Sequence, residues 1–314
     1  MTGYVLRRCG QAIVVVLGVT MVTFLMLHAL PGNLARSIIG PRATPQQIAT
    51  FDRQYGLSSP LWYQYWTFLD QLAHGNLGFS FHLSRPVTNL LATELPRDLI
   101  LGGLALFFSL AIAIPVGVVQ AVNRNRMGDY VGTGVGFVLY SMPAYALAIV
   151  LVQLFAITFH VFPAQAPQSS STIGLFEHPS GLVLPVATLT LVTYAQFSRY
   201  MRSAAIETLA QDYVRTARAT GLPERLVLWR HLLRNSLISV VTLIGVSIPV
   251  IITGTLIVEQ VFNFSGAGLE YYNAALTNDY PVMLGVTVVV GVVTVVGNLV
   301  ADIGYALLDP RIRY

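Results

Sequence analysis

The chain has 314 residues, of which 54% are hydrophobic and 10% charged, against about 25% charged in an average soluble domain. With a mean hydropathy of +0.65 and apolar runs of about 20 residues, it reads as a multispanning membrane protein, since a soluble core of this size could not hide so much apolar sequence. The single cysteine, Cys9, excludes an intrachain disulfide and every multi-cysteine metal motif, and the net charge of +4 follows membrane topology and does not mark a nucleic-acid binder.

The first apolar run, Cys9 to Leu30, follows Arg7 and Arg8. It is longer than a signal-peptide core and no A-x-A-like site closes it, so it reads as an uncleaved first span. Five more runs are long enough to cross about 30 Å of hydrocarbon: Leu99 to Val122, Val135 to Phe159, Gly181 to Met201, Leu237 to Val261 and Val282 to Leu308. The fold class is therefore an all-α membrane protein with six transmembrane helices. Thr188, Thr190, Thr193, Tyr194 and Gln196 dilute the fourth run, which predicts a helix facing its neighbours, because hydroxyls and amides in lipid bond to other helices.

Six spans place both termini on one side, and arginine chooses it. Arg7, Arg8, Arg124, Arg126, seven arginines between 199 and 237, Arg311 and Arg313 all fall on one face. The other five, Arg36, Arg42, Arg53, Arg85 and Arg97, sit in the first outer loop, which is too long for the rule of cytoplasmic positive charge to apply strongly. The rule therefore makes the arginine-rich face, and both termini, cytoplasmic. The organisation is then a tail and first span over 1–30, an extracytoplasmic loop with short helices over 31–98, and a five-helix core over 99–314 carrying a cytoplasmic loop at 199–237.

The long outer loop carries its own signals. Thr44-Pro45-Gln46-Gln47 has capping-box spacing with proline at the first helical position, and Gly56 is a stop. A second helix starts at Ser59-Pro60, presents Leu61, Tyr65, Phe68, Leu69 and Leu72 on one face, and ends near Gly75. Trp62, Tyr63, Tyr65 and Trp66 suit the headgroup level. Whether the loop caps the bundle or docks an outside partner stays open. The outer segment from His160 to Ser180 is irregular in composition, and in the last outer loop Gly268 to Thr277 predicts a short helix before Pro281 opens the sixth span.

Between Arg199 and Leu237 the pattern is helix, glycine elbow, helix. Met201, Ala205, Leu209, Tyr213 and Ala217 recur every four residues on one face. Gly221 supplies a left-handed stop and Pro223 opens the second helix; Arg218 suits the end of the first dipole and Glu224 the start of the second.

Enzymatic signatures are missing. The sequence contains no G-x-x-x-x-G-K-[ST] loop, no H-E-x-x-H and no G-x-S-x-G, and its six histidines have no ligand spacing on a shared helix. An ATP-independent secondary transporter needs mid-membrane ionisable groups, yet Glu259, Asp302 and Arg199 sit toward span ends. An intramembrane enzyme needs a buried nucleophile with its base, and no such pair is proposed by the sequence.

The 199–237 stretch carries a family resemblance. Asp212 to Leu222, reading DYVRTARATGL, followed by Arg230-His231-Leu232-Leu233-Arg234-Asn235-Ser236-Leu237, resembles the cytoplasmic "EAA" loop of ABC-importer permeases, in the form found in dipeptide and oligopeptide permeases. Further matches cover the chain in order: Tyr4-Val5-Leu6-Arg7-Arg8, Leu30-Pro31-Gly32, Tyr55-Gly56-Leu57, Gly75-Asn76-Leu77-Gly78, Arg85-Pro86-Val87, Ser141-Met142-Pro143, Glu259-Gln260-Val261-Phe262, Asp279-Tyr280-Pro281 and Leu308-Asp309-Pro310-Arg311. The general triplet falls on Arg215-Thr216-Ala217, so of it only the second alanine persists, with the glycine; Ser239 replaces a frequent proline and Asn33 a frequent aspartate.

That resemblance implies a type I importer permease fold in a prokaryotic cytoplasmic membrane, pairing with a second homologous permease, two cytoplasmic ABC ATPase subunits and an extracytoplasmic substrate-binding protein. It implies no cofactor in this chain, with ATP and Mg on the ATPases, and no catalytic or metal site. Asp212, Tyr213, Arg215, Thr216, Ala217, Arg218, Ala219, Gly221 and Leu222 would form the ATPase-coupling loop, the small residues allowing close approach. Arg230, His231, Arg234 and Asn235 would anchor the loop or meet membrane lipid. The implied cargo is a di- or oligopeptide, with glutathione, a nickel complex or another small solute as alternatives. Gly221→Asp or Ala217→Asp is expected to block docking and uncouple hydrolysis from uptake.

Overall fold

Five helices are long and apolar enough to cross a membrane among the described residues: Leu6–Met26, Val87–Val122, Ser180–Leu209, Glu224–Gly245 and Tyr280–Leu299. The count reaches six when Met127–Ser141 and Ala144–Thr158, a pair bent by 106°, are taken together as one broken span. This computed structural model describes residues 2–29, 39, 43–54, 56, 58–169, 172–253 and 255–308. The Leu30-Pro31-Gly32 motif, Asn33, Tyr55, Leu57, Arg36, Arg42 and the tail from Asp309 lie outside them, as do the side chains of Tyr4, Val5 and Asp302.

Three spans differ from expectation. The second helix starts at Val87, well before Leu99. Its 36 residues extend about 54 Å at 1.5 Å per residue, more than the hydrocarbon layer, so hydropathy marks the apolar layer and misses the helix end. The third span opens at Met127 and breaks at Pro143, which cannot donate a backbone bond; Met142 before it is extended, with φ −80° and ψ 127°. The fifth comprises the helices Arg234–Thr253 and Leu256–Phe262, the latter closed by Asn263 in the left-handed region at φ 48°.

The chain divides into two compact units. In the first, Met1–Asp98 with Ser265–Leu299, the Pro45–Gln54 helix has the expected capping box. The Gln47 N–H donates to Thr44 Oγ1 at 3.3 Å and the Thr44 N–H to Gln47 Oε1 at 2.8 Å. The Leu61–Ala73 helix closes at Gly75 with φ +74°. It leans on the first helix: Tyr65 Oη lies 3.0 Å from Thr20 Oγ1, and Tyr65 and Phe68 flank Phe24. Leu61 of the expected apolar face is exposed, as are Trp62, Tyr63 and Trp66. An antiparallel pair, Phe79–Ser80 with Arg85–Pro86, leads into the long helix. Val87, Leu90 and Leu91 pack with Ala267, Ala274, Val282 and Val286.

Charge is buried in this unit too. Arg97 donates to Glu94 at 2.8 Å, Asp98 caps the Ala267–Thr277 helix by accepting the Ala267 N–H at 2.9 Å, and Ser80 donates to Asp279. Arg97, placed by the sequence in the outer loop over 31–98, lies within the long helix Val87–Val122.

In the second unit, Leu99–Phe264 with Val300–Tyr314, the Ser180–Leu209 helix is the core element. Thr188, Thr190, Tyr194, Phe197 and Met201 are buried, which bears out the inward-facing reading of this span. Thr188 Oγ1 donates to Leu184 O in its own helix and Thr190 Oγ1 to Ala105 O. The helix passes the Val87–Val122 helix closely enough that a Cβ on Gly117 would lie 2.7 Å from Met201 Cβ.

Candidate coupling elbow

The Ser180–Leu209 helix stops at Ala210, whose N–H reaches Glu207 and Thr208 carbonyls. Gln211 is extended, with φ −72° and ψ 146°, and a new helix runs Asp212–Ala219. The four-residue stripe is therefore interrupted: Met201 and Ala205 are buried in the bundle, but Tyr213 lies past the break and is 42% exposed. After the break the apolar period restarts as Val214 and Ala217, which close on Val227, Leu209 and Leu222.

The turn is a Schellman-type end. The Leu222 N–H reaches back to Ala217 O at 3.3 Å and the Gly221 N–H to Arg218 O at 3.0 Å. Gly221 has φ +78°, and a Cβ added there meets nothing within 4 Å, so backbone conformation and not space calls for glycine. Pro223 then leads into Glu224–Leu226, a π-helical stretch Val227–Leu233 and the helix Arg234–Thr253. Ser236 Oγ and Thr208 Oγ1, both buried, are 3.0 Å apart and join the two legs.

An ion pair spans the elbow. Arg218 Nε donates to Glu224 Oε2 at 3.1 Å and Arg218 Nη2 to Oε1 at 2.5 Å. The Glu224 carboxylate holds Arg218 above the usual guanidinium pKa by its hydrogen bond, and its charge adds to this against some desolvation. Both side chains are about half exposed, so the pair contributes roughly 0.2–1 kcal/mol; its main effect is to fix the angle. Arg218, one of the expected coupling residues, already holds an acid of its own chain.

The remaining predicted residues separate clearly. Asp212, Tyr213, Arg215, Thr216, Ala219 and Gly221 are exposed, Leu222 is half-buried, and Arg215 stands 3.4 Å from Asp212. Ala217 is buried, so its small side chain serves closure of the elbow, and Ala217→Asp would report on elbow folding before docking. Of the anchoring set, Arg230, Arg234 and Asn235 are exposed, while half-buried His231 lies with its ring centroid 6.5 Å from that of Tyr213. Sequence reading missed Trp229, 65% exposed on the same segment; an aromatic in a basic surface helix was the available signal. It also missed Asp129, which takes both arms of Arg202 at 2.6 and 2.8 Å. Seventy-three residues separate them, and no local pattern links such positions.

These features define a multi-pass membrane protein that presents a braced, surface-exposed elbow. Residues 113–314 match the model of the family described as "Binding-protein-dependent transport system inner membrane component", and residues 1–102 match that of its N-terminal membrane component. The chain belongs to this family of ABC transporter permeases, multi-pass proteins of the prokaryotic inner membrane. It is 35% identical to the oligopeptide transport system permease protein AppB of Bacillus subtilis (strain 168) over the full length of both chains. It is similarly 33% identical to the dipeptide transport system permease protein DppB of Alkalihalophilus pseudofirmus, and 34% identical to the glutathione transport system permease protein GsiC of Salmonella choleraesuis, again over all of each chain. The importer-permease reading of the motifs is borne out.

Proposed function

We propose that this chain is the peptide-conducting permease of an ABC importer, one half of a translocation path completed by a second, homologous permease. Relatives named for oligopeptide, dipeptide and glutathione transport match it end to end. Glutathione is itself a tripeptide, so one cargo class covers all three names; glutathione in particular is the second reading those names favour. Arginine distribution supports cytoplasmic termini and a cytoplasmic elbow. A binding protein outside would deliver the cargo, and two ATPases inside would hold the ATP and Mg, leaving this chain without a catalytic site of its own.

One observation carries the coupling role: the elbow is internally closed by Val214, Ala217 and Val227 and braced by Arg218–Glu224, yet keeps Tyr213, Arg215, Thr216 and Ala219 exposed. A short rigid helix with an open face suits a groove on a partner. A rigid-body shift of the ATPases could then be passed into the Ser180–Leu209 and Arg234–Thr253 helices. The test is Ala219→Asp, which changes the exposed face without touching the closure. Peptide uptake by the reconstituted importer should fall at least tenfold and the ATPases should co-purify less; unchanged uptake and co-purification would overturn the coupling role. Gly221→Asp is a weaker test, since it also strains the turn.

A further inference from the structure

A second basic locus lies away from the elbow, where the Val87–Val122 helix ends and Met127–Ser141 begins. Two cavities of about 430 and 370 Å³ share Gln120 and Gly132. The larger has an apolar wall of Pro115, Val116 and Val119 and carries Arg126. The smaller is lined by Thr133, Ser198 and Ser203 with Arg199 and Arg202. Glycine at 132 leaves room for Gln120: a Cβ there would fall 2.1 Å from Gln120 Nε2.

Charge in these cavities is unbalanced. Among the described residues the one acid lining either of them is Asp129, and both its oxygens are engaged by Arg202. Arg126 donates to Asn123 Oδ1 at 3.2 Å, and Arg199 lies over the Tyr140 ring at 4.9 Å. Each guanidinium has five N–H donors, so both keep donors to offer, and both are exposed. Around them Val119, Met127, Tyr130, Phe137 and Tyr140 are exposed as well. A site for a soluble anion has no use for that apolar and aromatic rim; a site at the end of membrane-crossing helices does.

We propose that this locus binds an anionic phospholipid, its headgroup phosphate on Arg126 of the larger cavity with the Arg199 charge of the smaller adding to the attraction, and an acyl chain laid along Pro115, Val116 and Val119. Long basic side chains at helix ends meet the headgroup layer, and basic pockets between spanning helices suit anionic headgroups. Arg230 and Arg234 line neither cavity. The site rests on the membrane crossing alone, so failure of the coupling role would leave it standing. A lipid held here would bear on the Ser180–Leu209 helix just before the elbow.

The test is native mass spectrometry of the delipidated importer complex offered phosphatidylglycerol or phosphatidylcholine with identical acyl chains. Phosphatidylglycerol should be retained preferentially. The double variant R126Q/R199Q should weaken it about 25-fold, at roughly fivefold for each arginine near the membrane surface. Val119→Trp, which fills the apolar wall but spares both guanidiniums, should also lose the lipid, and it decides the matter if the double variant fails to fold. R230Q/R234Q should retain it. Equal retention of both lipids, no retained phosphatidylglycerol, undiminished retention by R126Q/R199Q or by Val119→Trp, or displacement by equimolar inorganic phosphate would each overturn the proposal.

Discussion

Arg202 lays two nitrogens on the two carboxylate oxygens of Asp129, at 2.6 and 2.8 Å, and so ties the Ser180–Leu209 helix to the start of Met127–Ser141. Asp129 is 2% exposed and also accepts the Asn125 N–H at 3.0 Å, whereas Arg202 is 28% exposed. The two partners are therefore unequal in what their loss leaves behind. Arg202→Gln strands a buried carboxylate and should cost about 2–3 kcal/mol, the low side of a broken buried pair because one end is partly wet. Asp129→Asn leaves a guanidinium that water can reach and should cost less. Thermal melts in detergent of both singles and the double check this; additive losses would contradict the pairing.

Gly221 is held at φ +78° with open space at its Cβ position. Gly221→Ala should therefore cost about 1 kcal/mol of elbow stability from backbone strain alone, and Gly221→Asn less, since asparagine tolerates the left-handed region. Hydrogen exchange across residues 212–227 should rank glycine, asparagine, alanine from slowest to fastest.

Two glycines of the Val87–Val122 helix should respond in opposite ways. A Cβ on Gly117 would meet Met201 Cβ at 2.7 Å and the Arg202 backbone nitrogen at 3.0 Å, whereas Gly103 meets nothing within 4 Å. Gly117→Ala should destabilise by about 1–3 kcal/mol through overpacking. Gly103→Ala should be neutral or stabilise by up to about 1 kcal/mol through helix propensity. Paired melting curves of the two variants check the contrast.

Glu270 gives the Ala267–Thr277 helix a pH dependence. Burial pushes its carboxyl above the usual value, the Glu94 and Asp279 charges push the same way, and Arg85 opposes them. A folded pKa above the unfolded one means the contribution is full below the ordinary value and fades as pH rises through the raised one. Amides of this helix should therefore exchange more slowly at pH 5 than at pH 7.5, beyond the intrinsic rate change, and Glu270→Gln should flatten the difference.

Much of the fold was legible because lipid imposes simple demands. Apolar length located the five long spanning helices and the bent pair, and the diluted fourth run identified the most buried of these spans, since hydroxyls in lipid must turn to neighbours. Local chemistry placed the capping box at Thr44, the stops at Gly75 and Gly221 and the short helix before Pro281. Hydropathy failed where a helix outruns the apolar layer, as at Val87, and periodicity failed at Gln211, where an extended residue resets the helical phase and turns Tyr213 outward.

The amino-acid sequence by itself determined the membrane class, the apolar segments, the position of the elbow and its glycine, because each rests on contacts within a few residues or on transfer to lipid. Only the tertiary structure decided that Ala217 faces inward, that Arg218 is held by Glu224, that Arg202 belongs to Asp129 and that Glu94, Arg97 and Asp98 can be buried together near one helix start. Those outcomes depend on which groups meet across turns and between helices. A charge read along the chain says nothing of the partner that neutralises it.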